Sequence, residues 1–277
     1  MAINWYPGHM AKGVREIKES IKLVDIIYYM LDARAPISSM NYDILDASRG
    51  KKIILLFNKV DLSDRSELKK YIKYYSDMGY PCLEIDAKNI KIVKDIINLS
   101  KKILLEKNLK LESRGLKEKE IKSIVLGIPN VGKSTLINTI SKKRIMEVKN
   151  FPGVTRNISW SKLSEDIFLL DTPGVLLPKL DEKTGLVLSI IGSIKDSILP
   201  EMEVMKFALS FLLKKYPLRL KEKYNIVSGD TIDTMLEKIY KSRNLQGEVD
   251  YSRVFVIFLK DIRDYKLGGL IFDDLER

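Results

Sequence analysis

Short apolar runs bounded by polar or Gly-containing turns alternate with helical periodicity along the first two thirds of the chain. Asp25–Asp32 (DIIYYMLD), Lys51–Phe57 (KKIILLF), Pro81–Ile85 and Ile121–Leu126 (IKSIVL) read as buried strands. Helical patterns lie before and between them, at about Ala11–Leu23, Arg65–Met78 and Val93–Lys107. Another is expected to start at Ser38 or Ser39 after Pro36 and to run to about Ser48. Two further strands, Ile158–Leu163 and Asp166–Leu170, are joined by a polar turn at Ser164. This alternation predicts an α/β unit with a three-layer, mostly parallel sheet. Beyond Gly174 the pattern changes: Pro178–Thr184 reads as a loop and Gly185–Ser193 mixes apolar with small residues. Helices are expected at Glu201–Lys215, Asp230–Lys241 and Asp250–Tyr265, separated by Pro217, Gly229 and Gly247. The expected organisation is a sheet domain over 1–192 and a small helical domain over 193–277.

Composition narrows the setting. The 277 residues are 45% apolar, with no run approaching a membrane span and no apolar leader in MAINWYPGHMAKG. A single cysteine, Cys82, excludes an internal disulfide and favours a reducing, cytoplasmic location. The formal charge of +11 points to a polyanionic partner, with nucleic acid or ribonucleoprotein preferred to a membrane surface. Basicity is local: 206–223 carries six basic residues and one acidic, whereas 201–277 as a whole has 14 basic against 13 acidic.

Strand, Gly-rich turn and helix start meet at Gly127–Ser134 (GIPNVGKS), the context of a phosphate-binding P-loop. Its glycines allow a tight turn that aims backbone N–H groups and a helix N-terminus at phosphate oxygens. Lys133 reaches the β and γ phosphates, and Ser134 offers a hydroxyl to Mg2+. Val131, Gly132 and Thr135 belong to the same cradle. Lys51–Phe57 delivers NKVD, Asn58–Asp61, at the sheet edge where ligands bind. Asp61 can accept from the ring N–H and exocyclic amine of guanine, a pair that adenine does not present. Asn58 can serve O6 or N7 and tie this loop to the P-loop, while the stem of Lys59 covers the base. In the next turn, Asp86-Ala87-Lys88, the Ala87 N–H can meet the guanine O6 and Lys88 can lie over the ring. Facing ATP, Asp61 would be left unpaired, a basis for discrimination by factors of ~10⁴.

After the P-loop helix, KKRIMEVKNFPGVTRN lacks periodicity and presents Thr155. A switch loop ordered by a γ-phosphate and its metal has this character, with Thr155 as the second protein ligand to Mg2+. Asp166–Leu170 feeds DTPG, Asp171–Gly174, a candidate Walker B and switch II. There Asp171 would hold a metal-bound water and the Gly174 N–H would meet the γ-phosphate. Small GTPases ordinarily present the phosphate motifs first and the guanine motifs last; here NKVD and DAK come first. The same sheet results from circular permutation, with the polar segment Leu109–Lys119 as the join. Switch II then leads directly into the helical domain, which could respond to nucleotide state.

The order NKVD, DAK, GIPNVGKS, PGVT, DTPG, with NWYPGHM and LDARAPISSMN at the start and SRVFVIFLKDIRDYKLGGLIFD at the end, closely resembles the bacterial ribosome biogenesis GTPase A (YlqF-like) family over nearly the full chain. The resemblance implies a circularly permuted P-loop GTPase domain followed by a helical RNA-binding domain. It implies GTP and GDP as ligands, Mg2+ held through Ser134, Thr155 and Asp171, and K+ bound with the help of Asn130. Lys133 and Gly174 act on the γ-phosphate. Val175 stands where Ras-like enzymes have a water-orienting glutamine, and His9 of the PGHM motif takes a catalytic or water-positioning role. One departure is Asp86, where relatives commonly have serine.

Such a protein is expected to assist late maturation of the large ribosomal subunit, contacting the precursor and its rRNA but not DNA, and to be monomeric off the ribosome. Catalysis is mostly electrostatic, and since no arginine finger is present in the motifs, intrinsic turnover is slow. The alternative is a nucleotide-gated RNA or protein scaffold with little hydrolytic output.

Overall fold

A computed structural model describes residues 10–112, 120–142, 160–170 and 180–275, and the side chains of 15–104, 120–140, 160–170 and 180–275. In chain order the first elements are α1 (Met10–Lys22), β1 (Ile26–Asp32), α2 (Tyr42–Ala47), β2 (Lys52–Asn58), α3 (Arg65–Asp77), β3 (Cys82–Ile85) and α4 (Ile92–Glu112). β4 (Ile121–Gly127), α5 (Lys133–Lys142), β5 (Trp160–Lys162) and β6 (Ile167–Leu170) complete the sheet unit. Five helices follow: α6 (Glu182–Ile190), α7 (Glu201–Lys215), α8 (Pro217–Tyr224), α9 (Ile232–Lys241) and α10 (Tyr251–Arg263).

The sheet order is β3-β2-β1-β4-β6-β5, parallel except for β5. β1, β2 and β3 step outward in one direction. The chain then returns to lay β4 against the free side of β1, with Ile26 opposite Ser123. That reversal opens a crevice at the C-terminal strand ends, the position at which α/β sheets bind ligands. Guanine motifs enter it from the β1–β3 side and the P-loop from β4, so a permuted chain order still yields one sheet.

Both sheet faces are buried. Ile26, Tyr28 and Met30 of β1 pack in one core with α4–α10, whereas Ile27, Tyr29 and Leu31 pack in the other with α1–α3. The strands therefore read as continuous apolar runs. Among the described residues, no helix is long and apolar enough to cross a membrane.

The last described residues return to the sheet unit. The Leu270 N–H donates to the Leu62 carbonyl at 3.2 Å and the Phe272 N–H to the Arg34 carbonyl at 2.8 Å. Gly269 makes this seam possible, since a Cβ there would run into the Ser63 carbonyl. Ile271 is fully buried within the α1–α3 core.

Four expectations about helices are corrected. The helix after Pro36 starts at Tyr42, capped by Asn41, whose Oδ1 accepts from the Ile44 N–H at 2.9 Å. Ser38 and Ser39 do not cap it, because the Ser38 hydroxyl donates to Asp273 and the Ser39 hydroxyl to the Ala35 carbonyl. Glu182 already begins α6, inside the expected loop, because Asp181 accepts from the Thr184 N–H at 2.9 Å. Buried on almost every side, α6 shows no amphipathic period. Pro217 opens α8 at its first turn, where proline costs no hydrogen bond, so the expected separator is a helix start. Finally, α4 continues to Glu112, into the expected join, because its polar residues are good helix formers.

Candidate functional site

β4 ends at Gly127 and α5 begins at Lys133, so the P-loop spans the strand-to-helix turn. Gly132 has φ 111°, and a Cβ there would run into Asn58 Nδ2, so only glycine fits. Lys133 is buried and folded back on the loop, its Nζ donating to the carbonyls of Gly127 at 2.9 Å and Ile128 at 2.5 Å. Burial, then the charge of Lys59, pull its pKa down to about 8. Pro129, Asn130, Gly132, Lys133, Ser134 and Thr135 line a cleft of about 450 Å3. Positive potential at the head of α5, the Lys133 ammonium and the exposed Ser134 hydroxyl suit this cleft to a metal-bound polyphosphate.

Asn58 joins this cleft to the base-reading loops. It is 4% exposed, its Nδ2 donates to the Val131 carbonyl at 2.7 Å, and its Oδ1 accepts from the Ala87 N–H at 3.0 Å. One amide therefore ties NKVD, the P-loop and the DAK turn together. The Ala87 N–H is directed to Asn58 here, rather than outward to a base. Asp61 and Lys88 are exposed, as a base-contacting pair must be. Asp86 shapes its own turn: Oδ1 accepts from the Lys88 N–H at 2.9 Å.

Lys59 and Asn130 both adopt left-handed backbone conformations, φ 62° and 57°. For Lys59 this costs roughly 1–2 kcal/mol, which the surroundings must offset. Its Nζ donates to the Asn130 carbonyl at 2.7 Å and to Asp32 Oδ2 at 2.9 Å. Asn130 in turn donates through Nδ2 to the Gly192 carbonyl, just past α6, at 2.9 Å. Asp32, Arg34 and Gly192 carried no assigned role in the sequence reading. The available signal was a carboxylate ending a wholly buried strand, β1, in register with Asn58.

His9, Thr155, Asp171, Gly174 and Val175 lie outside the described residues; among the described residues the guanine and P-loop sets come together. Ser134 supplies the hydroxyl oxygen that Mg2+ requires. The Asn130 Nδ2 donates to the Gly192 carbonyl, so its amide oxygen is the end that could face a cation such as K+. Both residues fit.

A family profile described as "50S ribosome-binding GTPase" matches residues 122–225. The protein called ribosome biogenesis GTPase A in Bacillus licheniformis is 41% identical over 100% of this chain and 99% of its own length. Two solved structures share the fold at 22% identity. One is the GDP-bound structure of TM YlqF, with TM-score 0.67 over 95% of this chain and 100% of that one. The other is GNP-bound YlqF from T. maritima, with TM-score 0.66 over 96% and 99%.

Proposed function

The chain belongs to the ribosome biogenesis GTPase A family, and from that premise we propose that it hydrolyses GTP during late assembly of the large ribosomal subunit, docking on the precursor when GTP-bound and leaving after hydrolysis. The observation that carries the nucleotide part is the Asn58 amide, which joins a P-loop to two guanine-reading turns. In this reading Asp61 accepts from the guanine ring N–H and amine, and Lys88 and the Lys59 stem flank the ring. Lys133 leaves its loop carbonyls for the β and γ phosphates, with Val131, Gly132 and Thr135 contributing to the cradle.

Ser134, with Thr155 and Asp171, would hold Mg2+, and Asn130 would help to hold K+. When bound, these cations supply positive charge against the phosphoryl oxygens. The chain's own contribution is to aim backbone N–H groups and Lys133 at charge that grows in the transition state. Gly174 meets the γ-phosphate, and His9 positions the attacking water. We assign 1–192 to the GTPase domain and 193–277 to a helical domain that contacts rRNA, cytoplasmic and monomeric away from the ribosome.

Base recognition gives the simplest test. Asp61→Asn is expected to weaken GDP binding about 10²-fold, since it removes charge-assisted bonds worth roughly 1.5–3 kcal/mol each. It should improve binding of xanthosine diphosphate, whose ring presents an acceptor where guanine has its amine. Displacement of a fluorescent GDP measures both, and ADP should not compete with the parent protein. Parental GDP affinity in the variant, or equal displacement by ADP, would remove the guanine reading.

A further inference from the structure

The segment LDARAP contains two charged residues that the P-loop and NKVD roles leave unexplained. Asp32 is 0% exposed, at the end of β1. Oδ1 accepts from the Arg34 backbone N–H at 3.1 Å and from Arg34 Nε at 2.9 Å. Oδ2 accepts from Arg34 Nη2 at 2.8 Å and from Lys59 Nζ at 2.9 Å. Burial pushes this carboxyl upward, but Arg34 and then Lys59 outweigh it and hold it well below the usual carboxylate range. The group is therefore a fixed anion between two cations.

From Asp32 the contacts run both ways. Arg34 Nη2 also donates to the Ile191 carbonyl at 2.9 Å. Lys59 donates onward to the Asn130 carbonyl at 2.7 Å, and Asn130 Nδ2 donates to the Gly192 carbonyl at 2.9 Å. Ile191 and Gly192 are consecutive, so the bonds close a ring through NKVD, the P-loop and the end of α6. Helix ends leave carbonyls without intrahelical partners. Here Arg263 serves Ser189 and Ile190, Arg34 serves Ile191, and Asn130 serves Gly192.

Lys59 needs such an anchor. A lysine is a flexible point charge, and this one stands close enough to Lys133 for the two like charges to repel. Without Asp32 the bond to the Asn130 carbonyl would have to hold its ammonium with no anion beside it and with the Arg34 guanidinium repelling it. We propose that Asp32 and Arg34 are positioning residues of the guanine-nucleotide site: together they clamp Lys59 to the P-loop and make that clamp depend on the end of α6, the first described helix after DTPG. The inference rests on the guanine-nucleotide reading above.

The test is a double-mutant cycle read by release of fluorescent GDP. Asp32→Asn keeps the side-chain shape and removes the charge; release should accelerate about 30-fold, of the order expected for a lost charged hydrogen bond. In a Lys59→Met background the same change should alter release by less than about threefold, because the effect travels through Lys59. A purely structural role would give equal factors in both backgrounds, and that result overturns the proposal. So does parental release from a folded Asp32→Asn protein. Should Asp32→Asn fail to fold, Arg34→Lys keeps the positive charge and loses the paired geometry; about tenfold faster release, again absent with Lys59→Met, is the expected result. Failure of the parent protein to retain GDP at all would instead show that the guanine-nucleotide reading is wrong, and the inference falls with it.

Discussion

Asn58→Ala should lower guanine-nucleotide affinity about 10³-fold, while Asn58→Asp should fall between it and the parent. The alanine leaves the Ala87 N–H and the Val131 carbonyl without their buried partner. Each such loss costs roughly 1–3 kcal/mol. In the nucleotide-free protein part of that cost is relieved if the loops part and take up water. Nucleotide must then draw three loops back together, so the penalty appears mainly as weaker binding. Aspartate restores the acceptor for Ala87 but faces the Val131 carbonyl with an anion. Calorimetric titration of GDP measures the effect, and melting in the absence of nucleotide separates it from stability. Parental affinity in Asn58→Ala would show that the loops are joined by other contacts.

Asp273→Ala should destabilise the nucleotide-free protein by about 4 kcal/mol, shifting Tm downward by about 10 °C. The residue is 4% exposed. It accepts from the Ile37 N–H at 2.6 Å, the Ser38 N–H at 2.9 Å and the Ser38 hydroxyl at 2.5 Å. The Asp273 carbonyl also accepts from the Tyr71 hydroxyl at 2.5 Å and from Lys215 at 2.9 Å. One residue therefore ties α3, α7 and the loop after β1, and its truncation orphans donors on the sheet side of the seam. Faster hydrogen exchange at Ile37, Ser38 and Phe272 should accompany the loss. A Tm within 2 °C of the parent would contradict this account of the seam.

The strands and the nucleotide motifs were legible because their signals are local. A buried parallel strand is an apolar run, and a P-loop is a contiguous string whose backbone geometry follows from its glycines. Elements set by distant partners were not legible. α6 is covered almost all round, so its sequence carries no period, and its start depends on the single Asp181 cap. Ser38 looked like a helix cap, but its hydroxyl is bound by Asp273, 235 residues away. Asp32 and Arg34 were visible as letters after a strand. Their role required knowing that Lys59, Asn130 and Ile191 converge on them, which follows from the return of β4 to the side of β1.

The central claim is a GTPase completed by the large ribosomal subunit. It is tested most directly by GTP hydrolysis in K+ buffer, with and without purified large subunits, for the parent protein and for His9→Ala. The account predicts slow turnover alone and strong stimulation by subunits, reduced when Na+ replaces K+ and lost in His9→Ala although that variant still binds GTP. Subunit binding without any stimulation of turnover would contradict it and leave a nucleotide-gated scaffold in its place.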